Sequence, residues 1–247
     1  MNILVDIGNT NTSIALVDGK KYLKKYFIHT SKETICPKAF FRLLGRFSGK
    51  VDRIIVVSVV PEFLSILSAA LGRVFPNAEI SVVGKNIKVP IKNRYRKPKQ
   101  VGQDRLVTAY AALLKARSPL VVIDFGTAVT MDYVNERGEY EGGLIFPGMR
   151  LALASLVNNT ALLPSVALRS ANGLIGRDTK GSMNNGILFG YAAMCDGLIE
   201  RFFERYGKKV RIIATGGDSS MIAKHSRYIE KVYPTLIFDG LCEMGRR

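Results

Sequence analysis

Short apolar runs alternate along the chain with longer segments whose apolar residues recur at helical spacing. In the first half, Arg53–Val59 (RIIVVSV) is nearly continuous and β-branched, which is typical of a buried strand. Asp18-Gly19 lies between two apolar runs and predicts a tight hairpin. The same patterns predict strands over Asn2–Ile7, Thr12–Val17, Lys21–Ile28 and Ile80–Val83, and helices over Lys38–Phe47 and Pro61–Leu71.

The second half repeats this alternation after an aperiodic stretch, residues 85–100, that is rich in Lys, Arg and Pro. Strands are predicted over Leu120–Asp124, Ala128–Val134, Glu139–Phe146 and Val210–Ala214, with a last short strand near Leu236–Phe238. Helices are predicted over Leu106–Ala116, Met149–Val157 and Ser182–Tyr206, with a short helix near the end of the chain. Strands that alternate with helices in this way indicate an α/β fold.

One segment of the chain resembles another about half the chain away. Val5-Asp6-Ile7-Gly8-Asn9-Thr10 is similar to Ile123-Asp124-Phe125-Gly126-Thr127-Ala128, and the two aspartates are 124 − 6 = 118 positions apart. In both segments an apolar strand ends in Asp-x-Gly, and a polar turn and a second strand follow. We therefore predict two similar lobes, residues 1–116 and 117–247, with an active-site cleft between them.

Composition narrows the classes of protein. The 247 residues include 36 Lys and Arg against 20 Asp and Glu, so the formal charge is +16, which favours anionic partners. No apolar run approaches the roughly 20 residues that span a bilayer, and the N-terminus lacks the pattern of a secretory signal. Cys36, Cys195 and Cys242 suggest no disulfide framework, so a cytoplasmic protein without a membrane partner is expected.

The common nucleotide and hydrolase motifs do not occur. Residues 45–50 (GRFSGK) are one residue short of a P-loop, and G-x-G-x-x-G, H-E-x-x-H and G-x-S-x-G do not occur. His29 and His225 are isolated in the sequence and are interpreted as surface or packing residues rather than metal ligands.

The glycine turns after the two similar strands suggest a phosphate site of another kind. Glycine lets backbone N–H groups approach phosphate oxygens, Asn and Thr add donors, and a strand-end Asp can hold a cation. Asp6 with its turn and Asp124 with its turn are both candidates, and Thr215-Gly216-Gly217-Asp218 is a third glycine turn. The alternative is that each is an ordinary hairpin with an Asx-type turn.

Two further motifs have two possible interpretations each. In Gly102-Gln103-Asp104-Arg105, just before a helix, Asp104 is either a general base or a favourable charge at a helix N-terminus, and Arg105 is a candidate anion ligand. Residues 142–148 (GGLIFPG) are either a tight bend at an interface or a simple strand end.

Together these motifs resemble those of the type III pantothenate kinases, in the same order and over nearly the whole chain. They are Asp6-Ile7-Gly8-Asn9-Thr10, Tyr95-x-x-Pro98-x-x-Val101-Gly102-Gln103-Asp104-Arg105, Asp124-Phe125-Gly126-Thr127-Ala128, Gly142-Gly143-x-x-x-Pro147-Gly148, Gly176-Arg177-Asp178-Thr179 and Thr215-Gly216-Gly217. The resemblance implies the acetate and sugar kinase/Hsp70/actin fold, with two ribonuclease-H-like halves. It also implies ATP-dependent phosphorylation of pantothenate to 4′-phosphopantothenate, the first step of coenzyme A biosynthesis.

The resemblance further implies roles for individual residues. ATP contacts would come from Asp6, Ile7, Gly8, Asn9, Thr10, Asn11, Thr12, Ser13, Thr127, Gly216 and Gly217. Pantothenate contacts would come from Tyr95, Gly102, Gln103, Asp104, Arg105 and Thr179, with Asp104 as proton acceptor and Arg105 facing the substrate carboxylate. Magnesium would lie near Asp6, directly or through water, and Asp124 would hold a monovalent cation, potassium or ammonium. The resemblance also implies a homodimer with residues 142–148 near its interface.

The sequence departs from the family pattern around residue 178, and two other functions compete. The family usually has Asn before the substrate-binding threonine and Glu-Ala-Leu-Gln-Ser-Gly soon after, whereas this chain has Asp178-Thr179 followed by residues 180–186 (KGSMNNG). One competing function is a transcription accessory protein that binds nucleic acid through the eight Lys and Arg of residues 85–105, but the favoured interpretation of these residues is a solvated basic loop beside an anion-binding active site. The other is a different small-molecule kinase, against which the Tyr95 to Arg105 match argues.

Overall fold

A computed structural model describes residues 1–31, 37–171 and 173–246. The chain forms two compact units, which we call the first and second units. The first unit comprises Met1–Ile91, Arg96–Ala111 and Ile237–Arg247, and the second comprises Lys92–Tyr95 and Ala112–Leu236. The predicted lobe boundary between residues 116 and 117 stays a prediction, and the units differ from it in three short segments.

The first unit is built on a five-stranded sheet in the order β3-β2-β1-β4-β5. Strand β1 is antiparallel to β2 and parallel to β4, which is parallel to β5. The strands are β1 Asn2–Ile7, β2 Asn11–Asp18, β3 Lys21–His29, β4 Arg53–Ser58 and β5 Glu79–Val82. The helices packed with this sheet are α1 Pro37–Leu44, α2 Pro61–Val74, α3 Gln103–Leu113 and, from the chain end, α7 Leu236–Met244.

The second unit repeats this topology with a sheet in the order β10-β9-β6-β7-β8. Its strands are β6 Leu120–Phe125, β7 Ala128–Val134, β8 Tyr140–Pro147, β9 Arg211–Thr215 and β10 Lys231–Val232, and its helices are α4 Met149–Asn158, α5 Thr179–Tyr206 and α6 Ser219–Ala223. Strand β6 is antiparallel to β7 and parallel to β9, as β1 is to β2 and β4. The predicted α/β class with two similar halves is confirmed.

The two cores of the first unit lie on opposite faces of its sheet. Ile3, Val5 and Ile7 of β1 are fully buried against α1 and α2, whereas Leu4 packs with α3 and α7. Successive side chains of a strand alternate between faces, so β1 separates the two cores residue by residue. In the second unit, alternate residues of β6 from Val121 to Phe125 pack with α4 and α5 in a similar core.

The last predicted strand is wrong. Leu236–Phe238 begins helix α7 instead of forming a strand, because the buried residues continue to Leu241 and Met244 at helical spacing. At Gly240 the helix backbone approaches α3 so closely that an added Cβ would lie 2.9 Å from the carbonyl oxygen of Val107. A short apolar run cannot distinguish a strand from the first turn of a buried helix.

A helix start, the cysteines and one histidine also bear on the sequence predictions. Helix α3 begins at Gln103, three residues before its predicted start, and none of the described helices is long and apolar enough to cross a membrane. Cys195 and Cys242 are buried free thiols, and Cys36 lies outside the described residues. His225 packs edge-on against the ring of Phe189, with 4.8 Å between ring centroids.

Candidate active site

The turn between β1 and β2 is held closed by backbone and hydroxyl hydrogen bonds. The N–H of Gly8 donates to the carbonyl oxygen of Asn11 over 3.0 Å. The hydroxyl of Thr30 donates to the carbonyl oxygen of Gly8 over 2.8 Å, and its oxygen lies 3.0 Å from the hydroxyl of Thr12. Because the single Thr30 proton is engaged, Thr12 is the donor in that pair. Thr12 is fully buried and therefore braces the turn from inside, whereas Asn9 and Asn11 are exposed on it.

Asp6 lies on the face of the first sheet that carries helix α3. It is two residues beyond Leu4, whose side chain packs with α3, and alternation places both on one face. Its backbone pairs with Ser13 of β2 and Val57 of β4. The carboxylate is half-buried, at the edge where the parallel strands β1 and β4 end. Ligands bind at this edge in open α/β sheets.

The motif at the start of α3 lies at the same edge. Val59, just after β4, donates its N–H to the carbonyl oxygen of Ile7 over 3.1 Å. A Cβ added to Gly102 would lie 3.7 Å from Cγ1 of that valine and would collide with Oδ1 of Asp104. Asp104 therefore folds back over Gly102, and its Oδ1 accepts the N–H of Arg105 over 2.8 Å. Only a residue without a side chain leaves room for this carboxylate.

The side chain of Gln103 fills a gap provided by a second glycine. Gly84 follows β5, has φ +82°, and an added Cβ there would lie 2.8 Å from Cδ of Gln103. Gly102, Gln103, Asp104 and Arg105 are all half-buried. The structure thus brings the predicted catalytic motif to the carboxyl ends of β4 and β5, beside the β1–β2 turn of the same unit.

In the second unit, Asp124 holds the position that Asp6 has in the first. It pairs with Thr130 of β7 and Thr215 of β9. Gly216 has φ +90°, and an added Cβ there would collide with Oδ1 of Asp124 and lie 2.6 Å from the carbonyl oxygen of Phe125. A carboxylate oxygen and a backbone carbonyl oxygen thus both pack against this glycine, and the same carbonyl oxygen accepts the N–H of Asp218 over 3.3 Å.

The neighbouring turns complete this edge of the second sheet. Thr127 is exposed in the β6–β7 turn, and its carbonyl oxygen accepts the N–H of Gly148 over 2.9 Å. Gly217 is exposed after β9. Asp218, which the sequence reasoning left without a role, is buried and forms an ion pair with Arg150 over 2.7 Å.

Tyr95 is positioned by a backbone pairing with β8 that the aperiodic sequence of residues 85–100 did not predict. Tyr140 of β8 donates its N–H to Lys92 and accepts the N–H of Arg94, each over 2.8–2.9 Å, so residues 92–95 lie along the edge of β8. The ring of Tyr95 rests on Gly142, where φ is +133° and an added Cβ would lie 3.1 Å from the ring. Tyr140 is itself anchored, because its hydroxyl donates to the buried Asp132 over 2.7 Å.

Ion pairs reinforce that segment. Lys92 lies 2.7 Å and Arg94 3.6 Å from the carboxylate of Glu139. The ammonium of Lys92, followed by the amide of Asn135, holds the pKa of Glu139 below its usual value of 4.5. The stability that this pair contributes is therefore fully present above about pH 4.5 and is lost as the pH falls through the lowered pKa. Lys92 and Arg94, which belong to the basic stretch between residues 85 and 105, are thus paired within the protein.

Thr179 is the exposed first residue of helix α5, which begins three residues before its predicted start. The departure from the family pattern at residue 178 is compatible with this start. Asp178 is the N-cap, and its Oδ1 accepts the N–H of Gly181 over 2.7 Å. Asp and Asn are about equally good N-caps, so the exchange preserves the helix start.

The described side chains limit the chemistry of the site. Among them no three or more His, Cys, Asp or Glu gather into a group that could hold a metal ion by themselves. Magnesium in phosphoryl-transfer sites is commonly held by one or two carboxylates and the phosphates of the substrate, and the single carboxylate of Asp6 fits this pattern.

Burial raises the pKa of the Cys195 thiol to about 12, so it stays protonated and is not a nucleophile at neutral pH.

Comparison with known sequences identifies relatives of the same length. A model of the type III pantothenate kinase family matches residues 2–201. The chain is 36% identical over 252 residues to the type III pantothenate kinase of Desulfosudis oleivorans, with 99% of this chain and 98% of that protein covered. It is 35% identical over 247 residues to that of Geotalea daltonii, with 98% and 96% covered.

The matching solved structures share little sequence identity with this chain, so the comparison with them concerns the fold alone. A protein assigned as a 2-dehydro-3-deoxygalactonokinase from Sinorhizobium meliloti matches with TM-score 0.59 and 11% identity, over 100% of this chain and 96% of that one. Component A of (R)-2-hydroxyglutaryl-CoA dehydratase from Acidaminococcus fermentans matches with TM-score 0.54 and 14% identity, over 98% and 94%. A protein assigned to the Baf family of transcriptional activators from Campylobacter jejuni matches with TM-score 0.57 and 18% identity, over 99% and 97%. The last likeness does not favour the transcriptional function over the kinase.

Proposed function

Since the chain belongs to the type III pantothenate kinase family, we propose that its reaction is transfer of the terminal phosphoryl group of ATP to the terminal hydroxyl of pantothenate, at the residues described above. The product would be 4′-phosphopantothenate, which begins coenzyme A synthesis. One observation carries the assignment of the site. The Gly102–Arg105 motif and the β1–β2 turn lie at one edge of one sheet, linked through Val59.

The ATP phosphates would be bound by the turn from Asp6 to Ser13, with Thr127, Gly216 and Gly217 as further contacts. The supporting geometry is the tight closure of the turn, which presents exposed amide side chains at Asn9 and Asn11. Thr12 would act by bracing the turn, because its hydroxyl is buried against Thr30.

Two cations belong to the proposal. Asp6 would hold magnesium, directly or through water, and magnesium when bound neutralises charge on the ATP phosphates. Asp124 would hold potassium or ammonium, and the carbonyl oxygen of Phe125, which packs against the same glycine as the Asp124 carboxylate, would be a second oxygen ligand.

Pantothenate would be bound by Gly102, Gln103 and Arg105, with Tyr95 and Thr179 as further contacts. Arg105 would face the substrate carboxylate, because a guanidinium binds a carboxylate through two parallel hydrogen bonds. Asp104 would orient the hydroxyl and accept its proton, since its carboxylate is held in place over Gly102 by the N–H of Arg105.

The direct test is ATP consumption by the purified chain. We expect turnover that requires pantothenate and magnesium and that rises on addition of potassium or ammonium over sodium. Transfer of phosphate to pantothenate should be confirmed by the mass of the product. ATP hydrolysis that is unaffected by pantothenate would contradict the proposed reaction.

Gly142→Ala should raise the KM for pantothenate by about tenfold, equivalent to roughly 1.4 kcal/mol, with a smaller change in the KM for ATP. The new Cβ would press on the ring of Tyr95, from which it would lie 3.1 Å. Gly138→Ala is the matched control, because Gly138 also has a positive φ, +73°, and lies by Leu113 instead. Equal effects of the two substitutions would indicate backbone strain alone and remove the role of Tyr95.

The homodimer is also part of the proposal. Strand β8 and helix α4 carry four exposed large apolar side chains: Leu144, Ile145, Leu151 and Leu156. Exposure of such side chains to water is unfavourable, and an interface between two chains would bury them. We expect sedimentation to give the mass of two chains, and Ile145→Asp with Leu151→Asp to give that of one. A wild-type monomer at micromolar concentration would contradict the dimer.

A cytoplasmic location is proposed as well, and the free thiols of Cys195 and Cys242 support it.

A further inference from the structure

The first unit carries a row of cations outside the proposed active site. Lys38, Arg42, Arg46 and Lys50 follow one another at intervals of four residues, from α1 into the 3₁₀ turn over Gly45–Lys50, and all four are exposed. No acidic residue occurs between positions 37 and 51. Within residues 1–31, 37–171 and 173–246, none of the ion pairs involves these four side chains.

An aromatic ring lies exposed within this row. The side chain of Phe41 is 65% exposed, although its neighbour Phe40 is fully buried in the core. The ring lies against Gly45, where an added Cβ would be 3.1–3.3 Å from three ring atoms. The bare backbone of Gly45 thus supports the ring from below. An exposed phenylalanine held in this way is a platform on which a flat group can stack.

A pocket of about 410 Å³ adjoins the ring. Lys38, Phe41 and Arg42 line it from α1, and Arg73 and Val74 line it from the end of α2. The hydroxyl of Ser48 donates to the carbonyl oxygen of Val74 over 2.6 Å and ties the 3₁₀ turn to the end of α2. The pocket therefore combines the apolar side chains of Phe41 and Val74 with three cations, two of which, Lys38 and Arg42, begin the row.

We propose that this surface, Lys38, Phe41, Arg42, Arg46, Lys50 and Arg73, binds single-stranded nucleic acid. One base would stack on Phe41 within the pocket, and the flanking phosphates would lie along the cations. Proteins that bind single strands combine the same two elements, a basic groove that follows the backbone and aromatic side chains that stack on bases. Phosphates complement a row of cations that has no acid of its own.

Two other polyanions fit the surface less well. A duplex keeps its bases stacked and paired, so it offers none to the ring of Phe41. An anionic membrane requires a helix with a free apolar face, whereas the apolar face of α1 is buried through Phe40 and Leu44. The inference does not depend on the kinase assignment, because the surface shares no residue with the proposed ATP and pantothenate sites.

The test uses the full chain and a fluorescein-labelled single strand of about 15 deoxynucleotides, followed by anisotropy at about 50 to 200 mM salt. Lys38→Ala with Arg42→Ala and Arg73→Ala should weaken binding and make the slope of log K against log salt less negative by about 2, since each phosphate contact contributes roughly 0.7. Phe41→Ala should weaken binding by about 5- to 150-fold, the range for one base stacked on an aromatic ring.

The matched control removes three exposed lysines of the same unit, Lys20, Lys21 and Lys24, at the β2–β3 hairpin. This variant should bind much more tightly than the Lys38, Arg42 and Arg73 variant. Thermal unfolding and kinase activity should be unchanged in all variants. The proposal would be overturned if the two triple variants lost binding equally, or if Phe41→Ala bound the single strand as tightly as the wild type. It would also be overturned if a mononucleotide competed completely, or if the protein preferred duplex or anionic vesicles to the single strand.

Discussion

Asp104→Asn should lower kcat for pantothenate phosphorylation by about 10²–10⁴-fold, the range that a positioned general base contributes. The amide keeps the size of the side chain above Gly102 but cannot accept the hydroxyl proton. The KM for ATP should change little, because the substitution lies in the motif assigned to pantothenate. The measurement is steady-state kinetics on the folded variant, with its thermal unfolding compared with that of the wild type.

The control distinguishes catalysis from a favourable helix charge. Asp104 is the acidic residue in the first turn of α3, and Glu62 is the acidic residue in the first turn of α2 in the same unit. Glu62→Gln removes an equivalent charge from a helix N-terminus and should leave kcat within about twofold, because such a charge contributes only 0.3–1 kcal/mol to stability. If Asp104→Asn also turns over at a near-normal rate, Asp104 is not the base.

Asp124→Ala should abolish activation by potassium. The rate of the variant should be the same in sodium and potassium, and close to that of the wild type without potassium. Removing the carboxylate creates no clash, because the substitution only empties the space beside Gly216 that Oδ1 of Asp124 occupies. The measurement is kcat/KM for ATP as a function of potassium concentration at constant ionic strength.

Asp218→Asn is the control for this second variant. Asp218 belongs to the same unit but is buried in an ion pair with Arg150 and is not assigned to the cation. Its variant should keep the potassium dependence even if its stability falls. Unchanged activation of Asp124→Ala by potassium would remove the cation site from Asp124, while the proposed reaction itself would stand.

Local patterns predict most of the architecture because strand alternation, β-branched runs and turn residues act over a few positions. The similarity around Asp6 and Asp124 also predicts the repeated topology, which the two identical strand orders confirm. Strand β10 has only two residues and leaves no periodicity to detect. Helix α7 is missed because its first three residues, read alone, have the composition of a strand.

The candidate residues follow from the sequence, but their surroundings do not. No local pattern distinguishes the buried, bracing hydroxyl of Thr12 from an exposed ligand, because its partner Thr30 lies 18 positions further along the chain, just after β3. Glycine is conspicuous at position 142, but only the ring of Tyr95 resting on it explains why a side chain is excluded there. Asp218 could have been noticed as the acid that ends a glycine turn.

By itself, the sequence determines the repeated strand–turn–strand unit, the acidic residues at the strand ends and the net charge of +16, since all three are local or additive properties. Only the tertiary structure brings Gly102 and Asp104 beside the end of β4, and Tyr95 to the edge of β8. It also brings Arg73, at the end of α2, to the pocket that Lys38 and Arg42 of α1 line, more than 20 positions away in the chain. The physical reason is that these contacts join distant residues, and only packing of the complete sheet and helices decides which distant residues meet.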